Sequence, residues 1–128
     1  MVPELMVQQQ VDNVWQHMVG VICLNLTDRK QVKPVLTKLF KITPTPEEFL
    51  EVWDHDTLSD FIKPLGMFNI RAHRIMRMSH DILKWDGEDA TKLFGIGKYG
   101  SDSYRIFYKG DIPNDVEDKE LLRYINGL

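Results

Sequence analysis

The stretch Leu93-Phe94-Gly95-Ile96-Gly97-Lys98-Tyr99-Gly100 constrains what this chain can fold into more than any other. Three glycines within six residues permit a backbone turn that side chains would block. They stand between two segments that both read as helices. Before them, Asp86-Gly87-Glu88-Asp89-Ala90-Thr91-Lys92-Leu93-Phe94 reads as a short capped helix; after them, Ser101 to Tyr108 reads as another. The same glycines spell the Gly-x-Gly-x-x-Gly pattern of dinucleotide-binding turns. That chemistry needs a strand before the glycines and a βαβ unit around them, and no strand pattern precedes them here. The reading is a tight hairpin between two helices, over about residues 87–108. Its backbone N–H groups can face an anion such as a phosphate.

Helical periodicity continues along the rest of the chain. Met6 to Asn25 carries Val7, Val11, Val14, Trp15, Met18, Val19 and Ile22 at helical spacing, with Gly20 marking a break or a close approach. Thr27 or Asp28 caps a helix reaching about Lys41, with Pro34 in its early turns. Thr45-Pro46-Glu47-Glu48 is a start signal: Thr45 caps, Pro46 takes the first helical position and Glu48 closes a capping box. A short helix follows from Asp56 to Lys63, stopped by Pro64 and Gly66. Asn69 caps a long helix that turns Ile70, Ile75, Met78, Ile82, Leu83 and Trp85 inward and Arg71, Arg74 and Arg77 outward. Asp115 caps a last helix through Tyr124 and Ile125. No segment sustains a period of two, and no linker or repeat divides the sequence. The expectation is an all-α fold, with residues 1–128 forming a single domain.

Cysteine and charge narrow the chemistry. The lone Cys23 sits in the apolar run Met18 to Leu24 and reads as a small buried hydrophobe; one cysteine allows neither an internal disulfide nor a four-cysteine iron–sulfur cluster. That run is too short to span a membrane, and the N-terminus lacks a secretory pattern, so an intracellular protein is expected. The net charge of −3 and pI near 5.8 are unusual for a nucleic-acid binder. The charges are segregated, however. Arg29, Lys30, Lys33, Lys38 and Lys41 cluster early, Arg71, Arg74, Arg77 and Lys84 follow later, and Lys92, Lys98, Arg105 and Lys109 surround the hairpin. Sharing one face, they could neutralise several phosphates despite the global sign; otherwise they are solvated helix faces.

Gly95 to Phe107 closely resembles the hairpin of the helix-hairpin-helix DNA glycosylase superfamily, in the branch of methyl-CpG-binding-domain thymine glycosylases, beside endonuclease III-like proteins. Lys63-Pro64-Leu65-Gly66-Met67-Phe68-Asn69-Ile70-Arg71-Ala72 is similar to that branch's KPLGLYDLRA segment. Trp15 through Thr27 resembles its WKLLIATIFLNRT helix, and Glu117-Asp118 with Tyr124 matches EDHKLNKY. The similarity runs from about residue 6 to 125, and the methyl-CpG-binding module is absent from this sequence.

The resemblance implies a set of roles. Asp118 falls on the catalytic aspartate, whose carboxylate stabilises an oxocarbenium-like sugar and positions or deprotonates water; as a first-turn acid it also suits a helix N-terminus. Tyr99 stands where lyase-competent relatives carry a Schiff-base lysine, which implies a monofunctional enzyme and a base pocket lined by Tyr99. Lys98 is offset by one residue and reads as a surface or phosphate contact. Gln8 matches a pyrimidine-reading glutamine, although Gln8-Gln9-Gln10 is equally a row of exposed helix residues. Leu65 and Met67 occupy the loop that resembles the apolar wedge, or else cap a helix junction. Gly95, Gly97, Gly100 and Arg71 join Lys98 as DNA contacts. Leu26 replaces an arginine that enters the duplex, and leucine cannot donate hydrogen bonds to an orphaned guanine.

The implied activity is removal of thymine or uracil mispaired with guanine in double-stranded DNA, by a monomer, in the nucleus if the source is eukaryotic. The resemblance implies no redox or organic cofactor and no iron–sulfur cluster, and leaves room for a monovalent cation on hairpin carbonyls. Two other readings stay open: a catalytically silent module binding mismatched or abasic DNA, and a nucleotide-binding protein, which demands β-strands.

Overall fold

Nine consecutive residues, Trp15 to Cys23, are buried, and that fact organises the molecule. They belong to α1 (Val14–Leu24), a helix apolar on nearly every side, which places it inside other helices rather than on them. The computed structural model describes residues 13–24 and 27–109. Among these residues lie six α-helices, two short 3-10 turns and no β-strand, an all-helical domain. A nucleotide-binding βαβ unit around the glycines is thereby ruled out, because α-helix and turn surround them on both sides.

Local capping explains where each helix begins. Asp28 starts α2 (Arg29–Ile42) by accepting the Lys30 N–H at 2.8 Å. Thr45 starts α3 (Pro46–Val52), its Oγ1 accepting the Glu48 N–H at 3.3 Å with Pro46 in the first turn. The reciprocal box expected there forms one helix later, where Asp54 and Thr57 cap each other at the head of α4 (His55–Phe61). Asp54 therefore begins that helix before the expected Asp56. A 3-10 turn, Lys63–Leu65, follows and ends on Gly66.

The long helix α5 (Phe68–Ile82) packs against α1, α3 and α4 and buries Ala72, Ile75 and Met78. It starts at Phe68, not after Asn69, because Met67 takes a left-handed conformation that redirects the chain. Ile70 and Leu83, expected inward, are exposed; the inward stripe instead includes Arg71. Ahead of the hairpin, the expected helix from Asp86 shrinks to one 3-10 turn, Ala90–Lys92, capped by Asp89. The helix after it, α6 (Lys98–Tyr108), begins three residues earlier than expected and packs on α1.

Trp15 sits at the centre of the core. Its ring meets Phe40 edge-on at 5.7 Å and Phe49 at 5.3 Å, while Nε1 donates to Ser79 Oγ at 2.8 Å. Ser79 passes its proton to the Ile75 carbonyl, so the buried polar pair is satisfied within α5. Cys23 is fully buried, and burial pushes its thiol up to about 12. It is the inert apolar residue its context implied.

Candidate nucleic-acid interface

The hairpin is built from the core outward. Leu93 and Ile96 are buried and pin its base, with the Ile96 N–H donating to the Leu93 carbonyl at 3.1 Å. Asp81 of α5 accepts the Phe94 N–H at 2.9 Å and ties the incoming segment to the long helix. The three glycines answer different needs. Gly95 has φ +82°, a region that side chains rarely enter, and a Cβ there would lie 3.4 Å from the Arg74 Cβ. At Gly100 a Cβ would lie 2.6 Å from Ile96 Cγ2 and 3.1 Å from Val21 Cγ1, so this glycine lets α6 close on α1.

Gly97 is different. Its φ of −101° suits any residue, and a Cβ there meets nothing within 4 Å. The fold does not demand glycine at this position. Gly97 is also the N-cap of α6 and supplies no side-chain cap, so the electropositive end of the helix lies at this exposed glycine. Space, exposed backbone and helix polarity coincide at one point.

On α5, two exposed side chains pack on the Phe94 ring of the hairpin. Arg77 is exposed, with its guanidinium 4.5 Å above the Phe94 ring, and the exposed His73 meets the same ring edge-on at 5.4 Å. The outward placement expected for Arg77 holds. His73 went unread because a single histidine in a polar stripe carries no periodic signal. Lys98 pairs with the buried Asp102 at 2.9 Å, one turn along α6. Tyr99 is half-buried and packs against the core at the same end of the helix.

Behind the hairpin lies a buried polar contact that the sequence did not reveal. His17 Nε2 and Ser103 Oγ are 2.8 Å apart, and Ser103 donates its one proton to the Gly100 carbonyl at 2.9 Å. His17 Nε2 must therefore be the donor, which leaves Nδ1 unprotonated. That Nδ1 is buried with no hydrogen-bond partner among the described residues, and burial lowers the pKa of His17 to about 4.

Two expected DNA contacts are relocated. Arg71 is 1% exposed, not on the outward face with Arg77. Side chains on a helix lean toward its N-terminus, and one turn back the carbonyls ending the 3-10 turn need donors. Arg71 Nη1 donates to the Leu65 carbonyl at 2.7 Å and to the Gly66 carbonyl at 3.2 Å. Leu65 is buried in the core as well, so of the two candidate wedge residues only Met67, 44% exposed, reaches solvent. Gln8, Leu26 and Asp118 lie outside the described residues. Among the described residues, no group of three His, Cys, Asp or Glu side chains converges to hold a metal ion, and no helix is long and apolar enough to cross a membrane.

No protein-family profile matches the chain. It is 31% identical over 110 residues to a methyl-CpG-binding domain protein 4-like protein of Arabidopsis thaliana, covering 86% of this chain and 24% of that protein. It is 25% identical over 118 residues to a thymine/uracil-DNA glycosylase of Pyrobaculum aerophilum, covering 87% of this chain and 50% of the relative. Endonuclease III of Haemophilus influenzae is 29% identical over 87 residues, which is 67% of this chain and 41% of the enzyme. The chain thus spans half or less of the length of each relative. In three dimensions it matches a thermostable thymine-DNA glycosylase with a TM-score of 0.69 at 19% identity, over 83% of this chain and 51% of that one.

Proposed function

This chain belongs to the helix-hairpin-helix DNA glycosylase superfamily, and from that premise we propose that it is a monofunctional glycosylase of base excision repair, removing thymine or uracil opposite guanine. The observation that carries the reading is Gly97: an exposed glycine the fold does not need, at the N-terminus of α6, in a hairpin whose Phe94 ring carries the Arg77 guanidinium. A DNA phosphate fits that position, approaching the positive end of the helix dipole past a residue with no side chain.

The chemistry follows from the base that must leave. Extrusion from the stack puts the target nucleotide against the end of α6, where Tyr99 supplies an aromatic wall. The bond from C1′ to the base nitrogen breaks heterolytically, its electron pair leaves with the base, and positive charge develops on the sugar. The Asp118 carboxylate stabilises that charge and takes a proton from the water that attacks C1′. These steps need water and a carboxylate, with no redox or organic cofactor. Tyr99 cannot form a Schiff base, and Lys98 beside it pairs with Asp102 at 2.9 Å. The product is therefore an intact abasic site. Met67 is the apolar side chain offered to the space the base leaves, and Leu26 fills space opposite without reading guanine.

The test is excision from labelled duplexes carrying G·T, G·U, A·T or A·U, with and without alkali, for the wild type and Asp118→Asn. Alkali-dependent strand cleavage at the mismatches, reduced about 100-fold or more in the variant with binding retained, is the expected result. Cleavage without alkali would mean a lyase. Folded protein that binds abasic DNA yet cuts none of the four would point to a silent binding module.

A further inference from the structure

Three consecutive carbonyls, those of Leu65, Gly66 and Met67, are all bonded by one residue. The Arg71 guanidinium takes the first two, at 2.7 and 3.2 Å, and the Arg71 backbone N–H takes the third at 2.9 Å. These carbonyls bracket the segment where the chain departs from ordinary backbone. Gly66 has φ +73°, and Met67, at φ +48°, is the only non-glycine with positive φ among the described residues. Met67 is also 44% exposed, whereas Leu65 two residues earlier is buried. An exposed thioether held in a disfavoured conformation persists only if its surroundings over-determine it.

We propose that Arg71 is a positioning residue, a buried clamp that fixes the Leu65–Met67 backbone so that the Met67 side chain stands ready to enter the base stack. The assignment rests on the glycosylase reading of Met67. Arginine suits the task because one guanidinium nitrogen, Nη1, held in a rigid plane, directs its two N–H groups at two neighbouring carbonyls, whereas the rotating ammonium of lysine has no such fixed plane. Leaving a guanidinium buried is costly unless oxygens surround it, and the Leu65 and Gly66 carbonyls meet that need. Arg71 never touches DNA in this arrangement. It acts by removing the freedom of the loop before binding, so that ordering cost does not fall on the extrusion step.

The experiment compares single-turnover excision of uracil from a fully paired G·U duplex and from a bubble of mismatches, where extrusion is already cheap. Arg71→Lys is expected to slow excision on the duplex about tenfold more than on the bubble, and that extra loss is expected to vanish when the same change is made in a Met67→Ala background. Equal loss on both substrates, or an unchanged ratio in the Met67→Ala background, would overturn the proposal and leave Arg71 a merely structural residue. Amide hydrogen exchange on free protein separates this from the glycosylase reading. In the wild type the Gly66 and Arg71 amides, bonded to the Lys63 and Met67 carbonyls, should be protected like those of Ile75 and Met78. In Arg71→Lys they should exchange about tenfold faster while the core amides hold. Free exchange of those two amides in the wild type overturns the clamp even if the variant does not fold. Protection with no excision on any substrate would keep the clamp and sink the glycosylase.

Discussion

His17 donates to Ser103 across 2.8 Å, joining the middle of the buried helix to the hairpin helix, and its other ring nitrogen has no partner among the described residues. Adding a proton to Nδ1 would bury both a charge and an unsatisfied donor. The pKa of this histidine accordingly falls from 6.5 to about 4 on folding.

That depression sets an acid limit on stability. The unfolded chain takes up the proton below pH 6.5 while the folded chain resists until about 4, so stability is present above this window and is lost as pH falls through it. The lost contribution is about 3 kcal/mol once both states are protonated. Urea unfolding at pH 7.5 and 4.5 should show most of this loss in the wild type. His17→Leu should flatten the slope within that window; an unchanged slope would move the acid sensitivity to other groups.

The hairpin glycines should separate by what they serve. Gly100→Ala forces a Cβ to 2.6 Å from Ile96 Cγ2 and is expected to destabilise by about 1–3 kcal/mol through overpacking. Gly95→Ala meets a φ of +82° and should cost about 1–2 kcal/mol. Gly97→Ala should cost less than about 1 kcal/mol, the usual gap between these residues at an N-cap. DNA affinity should nevertheless fall most in Gly97→Ala, as fluorescence anisotropy on a folded, thermally normal protein would reveal.

Arg77 is expected to contact phosphate without reading sequence. Held over the Phe94 face at 4.5 Å, it is pre-ordered on the hairpin. Arg77→Ala should weaken binding similarly for matched and mismatched duplexes and reduce the salt dependence of log K by about one. A selective loss on one sequence would argue for a base contact instead.

Met67 should show a conflict between stability and activity. Replacing it by glycine relieves a left-handed backbone worth about 1–2 kcal/mol, offset in part by the greater chain entropy of glycine. The expected result is a slightly higher Tm with slower duplex excision. A lower Tm would show that the exposed side chain packs better than its 44% exposure implies.

How far the sequence could be read depended on the kind of interaction. Thr45 with Pro46 announced a helix start, and the apolar period of α1 announced a core helix, because both signals are local or periodic. Arg71 defeated the same reasoning. Charge suggested the outer face, and only the tertiary arrangement shows the carbonyl row that draws it inside. The helix expected from Asp86 failed likewise: Trp85 Nε1 donates to the Asp89 carbonyl, and the segment folds as a turn around that bond. Gly95, Gly97 and Gly100 were legible as a hairpin but not as three separate tasks, since φ and free space are invisible in a string of letters.

The burial of Trp15 to Cys23 along α1 has a mechanical consequence. Its Val21 abuts Gly100 at the hairpin, and Cys23, half a turn on, lies within electrostatic range of the Arg71 guanidinium behind Met67. One helix thus serves as the ruler between the hairpin and the Met67 loop, and a close-packed core gives it little compliance. Shortening that distance would shear the centre of the domain. In the proposed complex the duplex is therefore the softer body, and it is the DNA that bends to reach both points.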